Sequence, residues 1–194
     1  DPTPPIGACT IADAEGHCLT VVQLSAASVQ TCVLLSDRTV RCWGKQVDSF
    51  GEANRPIPID GLENVLRIDT GDEHACAVLE TGEVWCWGDN RYGQLGAGRT
   101  TAEPKPVHVE GLAGVLDLAL GHAHSCALLA DRTVSCWGAK DSLAWRDGFP
   151  SFPPTSVVGL GDVVSLAAGW DRSCALCGDG TVSCWRQDLV PATV

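Results

Sequence analysis

Three features of the sequence predict an all-β repeat fold: four self-similar copies of a unit, a cysteine pair in each copy, and short apolar stretches punctuated by Gly and Pro. Four short antiparallel strands per unit, repeated radially, is the logic of a β-propeller of about four blades, as a closed ring or an open arc. The expected organisation is an N-terminal extension over residues 1–20, followed by repeats at 21–64, 65–114, 115–162 and 163–194. The opening Asp1-Pro2-Thr3-Pro4-Pro5 is the kind expected of a processed or excised chain, and the last residues fall where a fourth strand is expected to end.

The first strand of each copy is Val21-Val22-Gln23-Leu24, Val65-Leu66-Arg67-Ile68, Val115-Leu116-Asp117-Leu118 or Val163-Val164-Ser165-Leu166. Seven residues then lead to the first cysteine of a pair, which sits on the second strand. The second cysteine lies ten positions on, in the third strand, and is followed each time by Trp: Trp43, Trp87, Trp137 and Trp185. A Pro-bearing segment supplies the fourth strand, as in Pro56-Ile57-Pro58-Ile59 and Pro106-Val107-His108-Val109. Between second and third strands a three-residue loop is expected, Glu80-Thr81-Gly82 in the second copy. Its third position wants a left-handed backbone, which Gly82 and Gly180 supply. Arg38 and Arg132 fill that slot elsewhere, so those turns are expected to be strained or differently shaped.

Of the eleven cysteines, eight form the repeated pairs Cys32/Cys42, Cys76/Cys86, Cys126/Cys136 and Cys174/Cys184. With the turn midway, the spacing puts both members on one face and opposite each other, close enough for a disulfide. Each such loop of about 11 residues contributes roughly 3 kcal/mol in the chain-entropy account. Cys9 and Cys18 are expected to pair and staple the extension. Cys177 stands where other copies have Leu35, Leu79 and Leu129 and is expected to be a buried free thiol. The rival reading is metal ligation through Cys174-Ala175-Leu176-Cys177. Residues three apart on a strand point to opposite faces, which disfavours it. Disulfides at this density imply an extracellular, periplasmic or cell-surface location.

Charge narrows the function classes. The net charge is −11, with 24 acidic and 13 basic residues, and only three are Lys. A phosphate backbone or an anionic membrane surface is disfavoured, and no apolar run is long enough for a spanning helix. The expected partner is another protein, with no nucleic acid and no direct membrane insertion. Motifs for nucleophilic catalysis, phosphate cradling or metal binding are not found. The chain is therefore expected to be non-catalytic, with no cofactor.

Two clusters remain as candidates. His122, His124, Asp72, Glu73, His74, Asp171 and Arg172 occupy equivalent points between first and second strands, so radial symmetry gathers them at one end of the axis. They are read either as a polar ligand or metal site, or as turn polarity with His74 and His124 hydrogen-bonded to backbone; the second is preferred. The recurrent Trp residues are read as blade-packing core. Trp145, Arg146 and Phe149 lie in a long connection between third and fourth strands, matched by 45–55 and 89–105 in the first two copies. With Arg91, Tyr92 and Trp170 they are the candidate interface, since exposed aromatic and Arg side chains on loops commonly anchor partners; a hydrophobic plug over the propeller end is the other reading of the Trp145 loop.

The second copy carries Gly71-Asp72-Glu73-His74, Gly82-Glu83-Val84-Trp85-Cys86-Trp87-Gly88 and Asn90-Arg91-Tyr92-Gly93-Gln94-Leu95-Gly96. These residues resemble the RCC1-like repeat family, the regulator-of-chromosome-condensation propellers; Gly121-His122-Ala123-His124 and Trp137-Gly138 match in part. The resemblance covers about residues 21–194 and implies the propeller architecture and a habit of binding proteins. Such propellers usually have seven blades, against four copies here. The paired cysteines look like a secreted bacterial type rather than the nuclear form, which is an exchange factor for a small GTPase and binds chromatin. Neither of those roles carries over, because none of their functional residues can be placed here and the acidity opposes chromatin. The expected function is protein binding on a disulfide-stapled scaffold. A structural subunit of an extracellular or envelope assembly is the alternative, and a propeller enzyme comes third.

Overall fold

Short apolar segments and tight turns organise the described residues into sixteen strands and no helix. The computed structural model describes residues 11, 15–48, 51–139, 151–186 and 188–194, with side chains left aside at 45–48, 51–54 and 151–152. The first blade comprises β1 (Val21–Ala26), β2 (Gln30–Leu35), β3 (Val40–Asp48) and β4 (Gly51–Pro58). The second comprises β5 (Val65–Thr70), β6 (His74–Leu79), β7 (Val84–Gly88) and β8 (Glu103–His108). The third is built from β9 (Val115–Leu120), β10 (His124–Leu129), β11 (Val134–Ala139) and β12 (Ser151–Ser156). The fourth has β13 (Val163–Ala168), β14 (Ser173–Cys177), β15 (Val182–Trp185) and β16 (Ala192–Thr193). Within each blade the strands pair antiparallel in chain order.

The hairpin between second and third strands closes as its sequence predicts. Leu79 N–H donates to the Glu83 carbonyl and Gly82 N–H to the Leu79 carbonyl, both at 2.9 Å. Arg38 and Arg132 keep the same left-handed conformation as Gly82 and Gly180, with φ of 68° at both. These turns are therefore strained rather than differently shaped. Their shape also serves the next blade. The carbonyls of Arg38, Gly82 and Arg132 accept from the N–H of Val65, Val115 and Val163, the first residue of the following blade, at 3.2–3.3 Å. The connection expected over 45–55 is instead taken up largely by strand, because β3 and β4 run on into each other's extension.

Strand parity puts the cysteines opposite one another. Cys32–Cys42, Cys76–Cys86, Cys126–Cys136 and Cys174–Cys184 are register partners with Cα atoms 4.0–4.1 Å apart, and all four pairs are disulfides. The pairs differ in their surroundings. Those of the first two blades are sealed, at 0% exposure for all four cysteines, whereas Cys136 in the third blade is 3% exposed and both cysteines of the fourth are partly exposed. Cys136 borders a small crevice, shared with Trp137, Trp185 and Leu189, that the fourth blade leaves unfilled. Cys18 is also disulfide-bonded; its expected partner Cys9 lies outside the described residues. Cys177 is buried and free. It faces Val163 just as Leu35 faces Val21 and Leu79 faces Val65. Because Cys174 is bonded to Cys184, the C-x-x-C pair is not a dithiol.

The core lies between blades. Cys32, Leu34, Val40 and Cys42 of the first blade pack on Val65, Ile68, Ala75 and Trp87 of the second. Val78, Val84 and Val109 meet Val115, Leu118 and Trp137. Leu128, Val134, Cys136 and Val157 meet Val163, Ala175 and Trp185. Thus one face of each blade receives the next blade and the other face docks on the previous one. Trp87, Trp137 and Trp185 are buried there, as expected for core. Trp43 is only partly buried and packs against the core between the first and second blades.

Candidate functional site

The turns between first and second strands of successive blades lie side by side at one end of the arc. A chain of polar and aromatic contacts runs across them. Ser28 Oγ donates to Asp72 Oδ1 at 2.7 Å, and the other oxygen of Asp72 meets His122 Nδ1 at 2.9 Å. The His122 ring lies flat on the Trp170 indole, with centroids 4.0 Å apart and planes within 5°. Tyr92 approaches the same imidazole at 6.0 Å, tilted by 50°, and the Arg91 guanidinium sits 5.9 Å from the Tyr92 ring centroid. Both Arg91 and Trp170 are strongly exposed. The surface so formed carries flat apolar area with charge at its margin, the make-up of a protein-recognition patch.

Buried side chains hold the Arg91–Tyr92 loop in place. Asn90 Nδ2 donates to the carbonyls of Arg99 and Thr101, and its Oδ1 accepts from Leu95 N–H. Gln94 Nε2 donates to Asp89 Oδ2, and its Oε1 accepts from Tyr92 N–H. The Gln94 carbonyl accepts from the indole N–H of Trp137 and the hydroxyl of Ser125, both on the next blade. The Gly93-Gln94-Leu95-Gly96 segment is thus a bracket between blades. Arg91 donates from Nε to both oxygens of Asp89 and from a terminal nitrogen to Glu73 at 2.7 Å. The Asp89 hydrogen bond, with the nearby carboxylate charges, raises the pKa of Arg91 further. Such a pre-ordered cation loses little rotamer entropy when a partner binds.

Sequence symmetry gathered seven residues at this end, and the structure divides them. Asp72, Glu73, His122, Asp171 and Arg172 are at the surface. His74 and His124 are buried between blades, and neither ring bonds backbone. Nε2 of His74 meets Ser125 Oγ and Nε2 of His124 meets Ser173 Oγ, each at 2.8 Å across to the next blade. The correction has a steric cause. The imidazoles pack over Gly71 and Gly121, where a side chain has no room, and this aims each ring at the neighbouring sheet. His122 and His124, two apart, accordingly do different work. Burial pushes the His74 pKa down to about 3, with His124 and His122 adding to the effect. Burial also lowers His124 to about 4, against an opposing pull from Asp171. Both are neutral at pH 7. Groups of three or more metal-ligating side chains do not occur among the described residues.

Of the candidate interface residues, Arg91, Tyr92 and Trp170 converge on His122. Trp145, Arg146 and Phe149 lie outside the described residues. His122 was not counted with the aromatic residues in the sequence reading, although its place in the turn beside the slot of Trp170 was a signal. Trp85, irregular in the repeat, belongs elsewhere: it packs against the first interblade core and lies 5.3 Å from His108. Cys136, read from the sequence for its disulfide alone, also lines the crevice beside His124, but as a bonded sulfur it offers no thiol there.

Comparison with known proteins matches this architecture. The Regulator of chromosome condensation (RCC1) repeat profile matches residues 81–128, and a second profile of the same description matches 65–94 and 163–185. Among curated proteins, the E3 ubiquitin-protein ligase HERC2 of Homo sapiens is 37% identical over 92 residues, 43% of this chain and 2% of that protein. The secretion-regulating guanine nucleotide exchange factor of Mus musculus is 36% identical over 56 residues, 28% of this chain and 12% of that protein. Among solved structures, Prp20p from Saccharomyces cerevisiae, studied for its binding to Gsp1p and histones, superposes with a TM-score of 0.77 at 22% identity. The alignment covers 91% of this chain and 50% of Prp20p. The ectodomain of the receptor kinase CR4 from Physcomitrella patens superposes with a TM-score of 0.58 at 26% identity, over 87% of this chain and 41% of that one. The chain thus spans a small part of the curated relatives and about half of the solved ones.

Proposed function

For a chain that belongs to the RCC1-like repeat family, we propose a non-catalytic role as a protein-binding module in an oxidising, extracytoplasmic compartment, with the Arg91–Tyr92–His122–Trp170 surface as its contact. The observation that carries this reading is the exposed indole of Trp170 stacked on an imidazole that is itself fixed by Asp72. Aromatic and Arg side chains held rigidly at a surface are the residues that dominate binding energy at interfaces. Four disulfides support the oxidising compartment. The likeness to a receptor-kinase ectodomain supports the same compartment. Prp20p, with its binding to Gsp1p and histones, supports a protein as the kind of partner. The net charge of −11 favours a partner with a basic surface, drawn in by long-range attraction that salt weakens.

The test uses the oxidised wild-type chain and the Trp170→Ala and Arg91→Ala variants, each immobilised and exposed to the extracytoplasmic fraction of the source. A stoichiometric partner retained by wild type and weakened by about 10-fold or more in each variant supports the reading. Equal retention by all three contradicts it.

A further inference from the structure

The first strand of every blade carries an extra residue at the same place. Pairing between first and second strands shifts register around Val22, Leu66, Leu116 and Val164, so each is the additional residue of a β-bulge. All four are aliphatic, and they are exposed by 57%, 40%, 42% and 42%. The other large aliphatic residues of the two middle first strands, Val65, Ile68, Val115, Leu118 and Leu120, are exposed by 6% or less. Single exposed aliphatic residues are ordinary; these recur at one position of the repeat. The first strands of neighbouring blades lie side by side, β1 on β5, β5 on β9 and β9 on β13, so the four residues form a row. Leu66 and Leu116 belong to the middle blades, each flanked by a blade on both sides, so their exposure is a property of the repeat.

The row lies toward the end of the arc opposite the Arg91–Tyr92–His122–Trp170 surface. First strands start at that end, and the turns between second and third strands close over it. There Glu80 N–H donates to the Asn64 carbonyl, Ala130 N–H to the Gly114 carbonyl and Gly178 N–H to the Asp162 carbonyl. The turns (36–39, 80–83, 130–133 and 178–181) hold five Asp or Glu residues, and the links between blades (60–64, 110–114 and 158–162) hold four, all exposed. Arg38 and Arg132 are the only cations in these segments. Most of the chain's net charge of −11 therefore surrounds the aliphatic row.

We propose that this end is a second docking surface, and that its occupant is a cationic amphipathic segment of another protein. Aliphatic side chains of that segment lie on the row, and its Lys and Arg side chains meet the carboxylates around it. Burial of the row supplies affinity, and the field of the acidic rim supplies rate and selectivity. Charge selects this occupant. An acidic peptide, a phosphate backbone or an anionic lipid surface is repelled. The chain's own residues 1–20 contain no Lys or Arg and offer no cation for the rim. The row and its rim share no residue with the Trp170 surface.

The test is fluorescence anisotropy of labelled peptides titrated with the oxidised chain. The probe is a helical Leu/Lys peptide with its leucines on one stripe. One control has the same composition scrambled so that no stripe forms, and the other has Glu in place of Lys. Wild type is expected to bind the striped peptide about 10-fold or more tighter than the scrambled one, to lose affinity as salt is added, and not to bind the Glu form. The variant Leu66→Ser/Leu116→Ser is expected to weaken binding by about 10-fold or more. Glu63→Gln/Glu80→Gln/Glu110→Gln is expected to flatten the salt dependence. All five substituted side chains are exposed. Equal binding of striped and scrambled peptides by wild type overturns the proposal, and this comparison needs no variant to fold. Unchanged affinity in Leu66→Ser/Leu116→Ser overturns it too. Trp170→Ala is expected to bind the probe like wild type, which separates this surface from the one at the other end.

Discussion

A methyl group added at Gly71 would collide with ring carbon Cε1 of His74 and come within 2.5 Å of the Gly121 carbonyl oxygen. At Gly169, its counterpart in the fourth blade, the same group would meet nothing within 4 Å. The difference has two parts: an imidazole stands three positions on in one blade and Arg172 in the other, and the carbonyl of Gly121 on the next blade reaches Gly71 while no such group reaches Gly169. Gly71→Ala is therefore expected to lower stability by about 1–3 kcal/mol through overpacking, and Gly169→Ala by less than about 0.5 kcal/mol, as at an ordinary surface position. Denaturant midpoints for the two variants check this. The glycine was legible in the sequence only as part of a Gly-x-x-His signature. What the signature is for was not, because the hydroxyl that each histidine reaches lies on the next blade, about 50 residues along the chain. Proximity in sequence pointed to backbone as the partner, and tertiary packing supplied a side chain.

At the scale of the hairpin, sequence was a good guide because strand parity is rigid. Ten positions between cysteines, with a three-residue turn midway, leave one register in which both side chains share a face. The four observed pairs sit in that register. Without reductant, denaturation in the presence of an alkylating agent is expected to add no more than one group, at Cys177. Eight or more additions in the intact mass would contradict the pairing. Reduction of all pairs is expected to destabilise the chain by several kcal/mol, since each loop is worth roughly 3 kcal/mol. The connection over 45–55 was harder to read. Its residues carry no apolar alternation to mark a strand, and pairing between β3 and β4 defines the extended conformation there.

Across the whole molecule the blades are joined by apolar slabs and by the two buried histidines, and the histidines make that joining sensitive to acid. Their folded pKa values, about 3 and about 4, lie below the ordinary 6.5. A depressed histidine pKa means that the unfolded chain takes up the proton first. Stability from this source is complete above pH 6.5 and is lost as the pH falls toward 4, by up to about 1.4 kcal/mol per unit for each histidine. Melting temperatures are expected to fall over that interval. The double variant His74→Gln/His124→Gln, with the side chain that Gln30 already places in the same slot, is expected to show a flatter profile. An unchanged slope would remove the histidines from the account. The blade count was legible from the repeat. Whether the ring closes was not, because closure depends on the small angle between neighbouring blades, which no local pattern records. The candidate surface was legible in part: Arg91, Tyr92 and Trp170 were among the interface candidates, while the stack on His122 required the blades to be set side by side.

The central claim, a protein-binding surface across the Arg91–Tyr92–His122–Trp170 turns, is tested most directly by footprinting the chain with its captured partner. Hydrogen–deuterium exchange combined with side-chain oxidation would be compared for the free and bound forms. The account predicts protection of the Trp170 indole and of the 71–74, 89–96 and 121–124 segments, with Leu66 and Leu116 at the opposite end unchanged. Protection confined to that opposite end, with Trp170 still oxidised at its free rate, would contradict it.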